Sequence, residues 1–167
     1  MKLFGVKALF IFIALVGLSA CSASFEEVLE ETKTAVEAEF NKEADKTNNS
    51  NDDIKYRLPF GVEKEEETPN NILLKNGSRT YILFYNQYEE SGSKVVYEST
   101  LEQHTEWDAN ITFEQDGDFG YLLVKQLDED NYQIVTGVGG VKLTTETKNL
   151  KSDAVTMMEI ANSVKVK

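Results

Sequence analysis

The chain has 167 residues with 17 basic and 29 acidic side chains, a formal net charge of −12, and one cysteine and one histidine. An excess of carboxylates argues against nucleic acid as a partner, because phosphate binding depends on clustered Lys and Arg. A lone cysteine excludes an intrachain disulfide and a multi-cysteine metal centre, so the stability of the fold must come from packing.

The first segment is a targeting signal rather than part of a fold. Lys2 and Lys7 precede an apolar run from Ala8 to Gly17, and small residues follow it. A short positive region, an apolar core and small residues at a cut site form the secretory signature. The apolar run is shorter than the roughly 20 residues a bilayer-spanning helix needs. The run ends at Leu18-Ser19-Ala20-Cys21. This tetrapeptide resembles the lipobox of bacterial lipoproteins. The resemblance covers the first 21 residues and implies that the Cys21 thiol receives a diacylglycerol and that cleavage occurs just before it. The alternative is an ordinary signal cut near Ala20 or Ala23, with Cys21 incidental. Two acyl chains give stable anchoring where one is marginal, at about 0.8 kcal/mol per buried methylene. The expected location is therefore the outer, extracytoplasmic face of the cell membrane, with the membrane as partner through the lipid on Cys21. Losing Lys2 and Lys7 leaves 15 basic residues against 29 acidic, a net charge of −14 on a mature chain of about 147 residues. That length suffices for one domain with a real core. Its charge disfavours flat adhesion to anionic head groups.

Residues 21–44 comprise the lipidated cysteine and an amphipathic helix. Phe25, Val28, Leu29, Thr32, Val36 and Phe40 recur at intervals of three and four. Ser24 followed by Glu27 fits a capping box. The apolar stripe could pack on the domain, lie on the membrane or meet a partner. Domain packing is the favoured reading, since the polar face is mostly Glu where interfacial helices are rich in Lys and Arg. A polar linker at 45–53 follows, within the stretch Asn41–Asp53, which has almost no apolar residue and reads as a flexible loop.

From 54 to 167 the pattern is that of an α+β domain. Ile54–Leu58 alternates with period two. Glu63–Asn71 is acidic and turn-like. Ile72–Lys75 and Arg79–Tyr85 flank Asn76-Gly77, a strong hairpin signal. Val95–Leu101 fits either a short strand or a helical turn. Asn110–Gln115 and Phe119–Leu127 are expected strands about Asp116-Gly117-Asp118. Tyr132–Val138 and Val141–Thr145 follow, with a turn at Asp128–Asn131 and a bend or bulge at Gly139-Gly140. Ser152 or Asp153 can cap a last helix whose face is Val155, Met158, Ile160, Ala161 and Val164, flanked by Met157. The order predicts a twisted antiparallel sheet with the C-terminal helix packed on it and an N-terminal amphipathic helix. The stretch GVGGVKLTTETK and the helix ending IANSVK loosely resemble small domains of the Mog1/PsbP type, which recur in secreted bacterial lipoproteins. The likeness is one of pattern over about 110 residues, and no functional residue is carried over from it.

The residues offer little catalytic chemistry. His104 is the sole histidine and would have to serve any Ser-His-Asp arrangement, but no Gly-x-Ser-x-Gly elbow accompanies it. Glu102, His104 and Glu106 would share one face of a strand, yet this set matches no zinc pattern and reads as a solvated edge. The Glu63–Glu67 run reads as a solvated loop. Asp128–Asn131 lacks the glycine and glutamate of a calcium loop. Gly137–Gly140 lacks the Lys-Ser ending of a phosphate loop and reads as a bend that permits close approach. No cofactor or metal is expected. Tyr85, Tyr88 and Trp107 fall near expected loops, and Tyr and Trp are enriched at interfaces. These three are the candidate binding residues. The expectation is a non-enzymatic, lipid-anchored envelope protein that binds another envelope protein or component. The alternatives are a small-ligand or cation-binding lipoprotein and, less favoured, an extracytoplasmic hydrolase.

Overall fold

The computed structural model describes residues 24–103 and 106–167. The signal segment, Cys21 and His104 lie outside them.

The first element is α1 (Phe25–Phe40). Its start is fixed by a complete capping box: the Ser24 amide donates to Glu27 Oε2 at 2.9 Å and the Glu27 amide to Ser24 Oγ at 3.3 Å. Leu29, Thr32, Val36 and Phe40 are buried. The helix ends at Phe40, the last residue of the apolar stripe and four residues short of the expected bound at 44. Asn162 stops it from outside, its side-chain amide donating to the carbonyls of Glu39, Phe40 and Lys42 at 3.2, 3.3 and 3.0 Å. Carbonyls of a final turn need such a partner, and α1 carries no basic side chain there.

Two short strands follow, β1 (Asn49–Ser50) and β2 (Ile54–Tyr56). The asparagines of the polar stretch before β2 have structural duties. Asn48 exchanges two hydrogen bonds with the Leu58 backbone, at 2.9 and 2.8 Å. Asn51 Oδ1 accepts from the amides of Asp53 and Ile54.

The main sheet begins with β3 (Val62–Thr68), β4 (Asn71–Asn76) and β5 (Arg79–Tyr85). Here the expectation of a turn over Glu63–Asn71 is corrected. Glu63–Thr68 is the edge strand, and the turn is only Pro69-Asn70, with Asn70 at φ +65°. Glutamates are tolerated because an edge strand leaves them in water, and charge there discourages pairing with other chains. Lys64 pairs with Glu67 and Lys75 with Glu65. The β4–β5 hairpin loop is Gly77-Ser78, one residue later than expected, with Asn76 paired to Arg79. Gly77 at φ +61° takes the first loop position, where a side chain is disfavoured.

The ambiguous segment is a helix, α2 (Val95–Gln103), with Val96 and Thr100 buried one turn apart. A meander follows: β6 (Ala109–Gln115), β7 (Asp118–Asp128), β8 (Asn131–Val138) and β9 (Val141–Thr147). Then come α3 (Leu150–Ser163) and β10 (Lys165–Val166). The seven-stranded sheet is wholly antiparallel in the order β3-β4-β5-β9-β8-β7-β6, and β1-β2-β10 form a small second sheet. The architecture is α+β, with α3 packed on the sheet and α1 beside it.

The two helices run in the same direction. Phe25 stacks on Tyr132 at one end of the sheet, with ring centroids 5.9 Å apart. Phe40 lies 5.8 Å from Phe113 at the other end. Lys151 pairs with Glu31 near the helix starts, and Asn162 caps α1 near the finishes. Between helices and sheet lies a core that includes Val36, Ile54, Leu83, Leu122, Ile134 and Met157, each contributing about 1.5–3 kcal/mol if fully buried. A smaller cluster on the opposite face joins Phe119, Tyr121, Leu123 and Val135 to Tyr97, Leu101 and Trp107.

The start of α3 departs from expectation. Neither Ser152 nor Asp153 caps it; the cap position is Asn149, whose side chain makes no capping bond. Asp153 sits within the first turn and is fully buried. It accepts from Tyr81 Oη at 2.6 Å and Thr147 Oγ1 at 2.5 Å, and Arg79 Nη1 stands 3.1 Å away. The anchored carboxylate ties α3 to β5 and β9. Met157, expected to flank the apolar face, is fully buried because α3 meets both α1 and the sheet.

Candidate functional site

Both long helices finish at the same end of the sheet, and an open cleft of about 930 Å³ lies there. Its walls come from the end of α1, the end of α3 with β10, the loop after β5 and the β6–β7 hairpin. The hairpin turns through Asp116 and Gly117, at φ +54° and +96°. Asp-Gly suits a two-residue loop with positive φ at both positions.

The loop after β5 is locked rather than free. The Asn86 amide donates to the Gly140 carbonyl and the Phe119 amide to the Ser91 carbonyl, both at 2.9 Å. Ser93 donates to the Glu89 carboxylate, and the Tyr88 amide to Asn86 Oδ1 at 3.1 Å. Gly139 and Gly140 form the two-residue turn between β8 and β9, directly under this loop. A Cβ on Gly139 would stand 2.2 Å from the Glu90 carbonyl oxygen, and one on Gly140 2.7 Å from Glu89 Cβ. The glycine pair permits a close approach, and what approaches is the loop.

The cleft is acidic. Glu43, Glu89, Glu90, Asp116 and Asp118 line it against Lys42 and Lys165. Lys42 is itself engaged by Glu39 and Asp45. The ends of two parallel helices add partial negative charge, and neither last turn carries a basic residue. Such a surface suits cationic groups.

Tyr85 and Tyr88 both line this cleft. Tyr85 is buried, donating to Asp53 Oδ2 at 3.1 Å and accepting from Asn51 Nδ2 at 3.0 Å. Burial, and then its carboxylate neighbour, raises its pKa. Tyr88 is 84% exposed, an aromatic held out from a fixed loop. Trp107 is not brought to them. It packs with the second cluster on the opposite face, just ahead of β6. Glu102 lies in the last turns of α2, so the idea of a strand face shared by Glu102, His104 and Glu106 is corrected. Glu106 is exposed, 3.8 Å from Lys125. Asp128–Asn131 closes the β7–β8 hairpin.

Among the described residues, no cluster of three or more His, Cys, Asp or Glu is arranged to hold a metal ion. The buried Asp153 has its oxygens engaged by Tyr81, Thr147 and Arg79, which makes it a tie between elements. Burial, and then the neighbouring carboxylate, pushes the Tyr81 pKa up to about 12. Lys142 lies on the opposite face, 3.3 Å from Thr100 Oγ1, and burial lowers its pKa. The sequence reading missed Glu89, Glu90, Asp116 and Asp118 as partners in one site, because acidic loop residues are too common in this chain to stand out. No protein-family model matches the chain, and no curated protein matches it.

Proposed function

We propose that this is a lipid-anchored envelope protein, without catalytic activity of its own, that captures another envelope protein or component through the acidic cleft and Tyr88. The anchor is the diacylglycerol expected on Cys21. One observation carries the capture reading: Tyr88 is displayed, 84% exposed, on a loop locked by backbone hydrogen bonds at the rim of the cleft. An aromatic that loses little freedom on binding is the kind of residue that anchors interfaces. The excess of carboxylates around it favours a basic segment as the captured element. α1 starts four residues after Cys21 and ends at the cleft, so its 16 residues, about 24 Å at 1.5 Å per residue, would hold the cleft away from the bilayer.

The test is site-specific photocrosslinking on intact cells, with the photoreactive residue at position 88. A discrete protein adduct, absent when the residue is placed at exposed Glu30, is expected. Equal labelling from both positions would remove the reading. A C-terminal tag is to be avoided, because Lys165 and Val166 line the cleft. Tyr88→Ala should abolish capture while leaving stability within about 0.5 kcal/mol, as for an exposed residue outside the packing.

A second reading, a small cationic ligand in the same cleft, is favoured by its volume and its carboxylates. It predicts a raised melting temperature with a polyamine and no protein adduct at position 88.

A further inference from the structure

We infer that the end of the domain opposite the cleft rests on the lipid surface, with Phe60 and Leu127 as its contact points; this rests on the proposed lipid at Cys21.

Phe60 is fully exposed, yet its backbone is fixed. The Val62 amide donates to the Pro59 carbonyl at 3.1 Å, and Gly61 takes φ +84°. This is a tight turn with glycine at its third position, which leaves Phe60 at the outer corner. Leu58 and Val62 on either side are buried. The turn therefore holds its aromatic ring out in water, where an isolated soluble domain gains nothing from it.

Its place in the fold supplies the reason. Val62 pairs with Asn76, so the Phe60 turn lies beside the β4–β5 hairpin. That hairpin, through Arg79 and Asp153, adjoins the start of α3. The start of α1 is at the same end, where Phe25 stacks on Tyr132. Leu127, 42% exposed, is next to the β7–β8 turn at this end as well. Cys21 precedes Ser24 by three residues, a reach of at most about 11 Å when fully extended. Lipid at Cys21 must then bring this end to the bilayer surface. From β8, under the start of α1, to β3, beside Phe60, there are four strand spacings, or about 19 Å. The lipid and Phe60 thus occupy opposite sides of one end, and two separated contacts fix the tilt of the domain.

Charge limits the contact to these tips. Asp128, Glu129 and Asp130 beside Leu127, and Glu26 and Glu27 in the first turn of α1, resist close approach of anionic head groups. Single apolar side chains can pass between head groups where a broad acidic face cannot. Lipid is favoured over a protein partner because the chain upstream of Ser24 leaves from this end and leads to Cys21.

The test uses the full chain, processed in cells and reconstituted into vesicles of phosphatidylethanolamine and phosphatidylglycerol. With Cys21 acylated, Phe60→Cys, Leu127→Cys and Tyr88→Cys each supply one thiol for an environment-sensitive fluorophore. The labels at 60 and 127 should brighten several-fold and be quenched by brominated acyl chains; the label at 88 should do neither. A label at 60 that behaves like the one at 88, in protein whose intact mass includes the diacylglycerol, overturns this inference and leaves the anchor standing. Mature protein lacking the acyl mass overturns both. A label at 60 that is exposed in vesicles but shielded on intact cells overturns the lipid contact and assigns Phe60 to a protein.

Discussion

Replacing Gly139 with alanine tests whether the loop bearing Tyr88 is held by the glycine turn beneath it. Two costs add. Gly139 has φ +53°, and a side chain in the left-handed region costs about 1–2 kcal/mol. The new Cβ would also meet the Glu90 carbonyl oxygen at 2.2 Å and Ser91 Cα at 2.5 Å, both backbone atoms that cannot swing aside. The loop must lift, and two backbone hydrogen bonds that hold it, Asn86 to Gly140 and Phe119 to Ser91, are weakened or lost. At about 1 kcal/mol net for each, the expected total is about 3–4 kcal/mol. Gly77→Ala is the matched control: its φ is +61° and nothing lies within 4 Å of the added Cβ. It should cost only the backbone part, about 1–2 kcal/mol. Urea unfolding of both variants measures the difference, and photocrosslinking from position 88 reports whether the display of Tyr88 is lost with it. Equal destabilisation by the two substitutions, or full crosslinking in Gly139→Ala, would refute the view that the loop is clamped by the turn.

Asp153→Ala should cost about 3 kcal/mol by denaturant unfolding, because it removes the acceptor of the buried Tyr81 and Thr147 hydroxyls and the ion-pair partner of Arg79; a loss under 1 kcal/mol would show the network to be dispensable. The Tyr81 pKa is raised from 10.0 to about 12, so the folded state keeps a proton that the unfolded chain releases earlier. Its contribution is fully present below pH 10 and is lost as pH rises toward 12. Stability measured across that window should fall, and fall less steeply in Tyr81→Phe. Cys21→Ser should release the protein into the medium or leave it unprocessed; normal processing and membrane retention of that variant would sink the proposed anchor.

What could be read from the sequence followed local, repetitive signals. The α1 stripe and its Ser24–Glu27 box are spaced by the helix itself, and both are present in the structure. The meander from β6 to β9 was legible because each turn carries residues suited to positive φ or tight reversal. The failures have a common cause, which is that the deciding partner is distant in sequence. Glu63–Thr68 looks like a loop until β4 and Lys75 stand beside it. Asp153 looks like a helix cap until Tyr81, 72 residues earlier, reaches its carboxylate. The site suffers most from this. Tyr88 could be singled out as an aromatic near a loop, but the carboxylates around it come from segments between Glu43 and Asp118, and only the fold gathers them. Trp107 carried the same local signal as Tyr88 and lies elsewhere, because it packs with the second cluster across the sheet.

The parallel course of α1 and α3 gives the domain two chemically different ends. An antiparallel helix pair would place one start and one finish at each end, and their partial charges would largely cancel. Here both finishes meet at the cleft, where Asn162 of α3 caps α1 and so fixes the two ends against each other. The carboxylates of the β6–β7 hairpin and the loop after β5 strengthen the same sign. The opposite end combines both helix starts with the β4–β5 and β7–β8 hairpins and the Phe60 turn. A domain polarised in this way presents chemically different surfaces at its two ends without any moving part. Asn162 is a residue on which that arrangement depends, since its side-chain amide ties the finish of α1 to α3 through three carbonyls. Asn162→Ala should therefore loosen α1 at the cleft while its start, held by the capping box and the Phe25–Tyr132 stack, keeps its hydrogen-exchange protection.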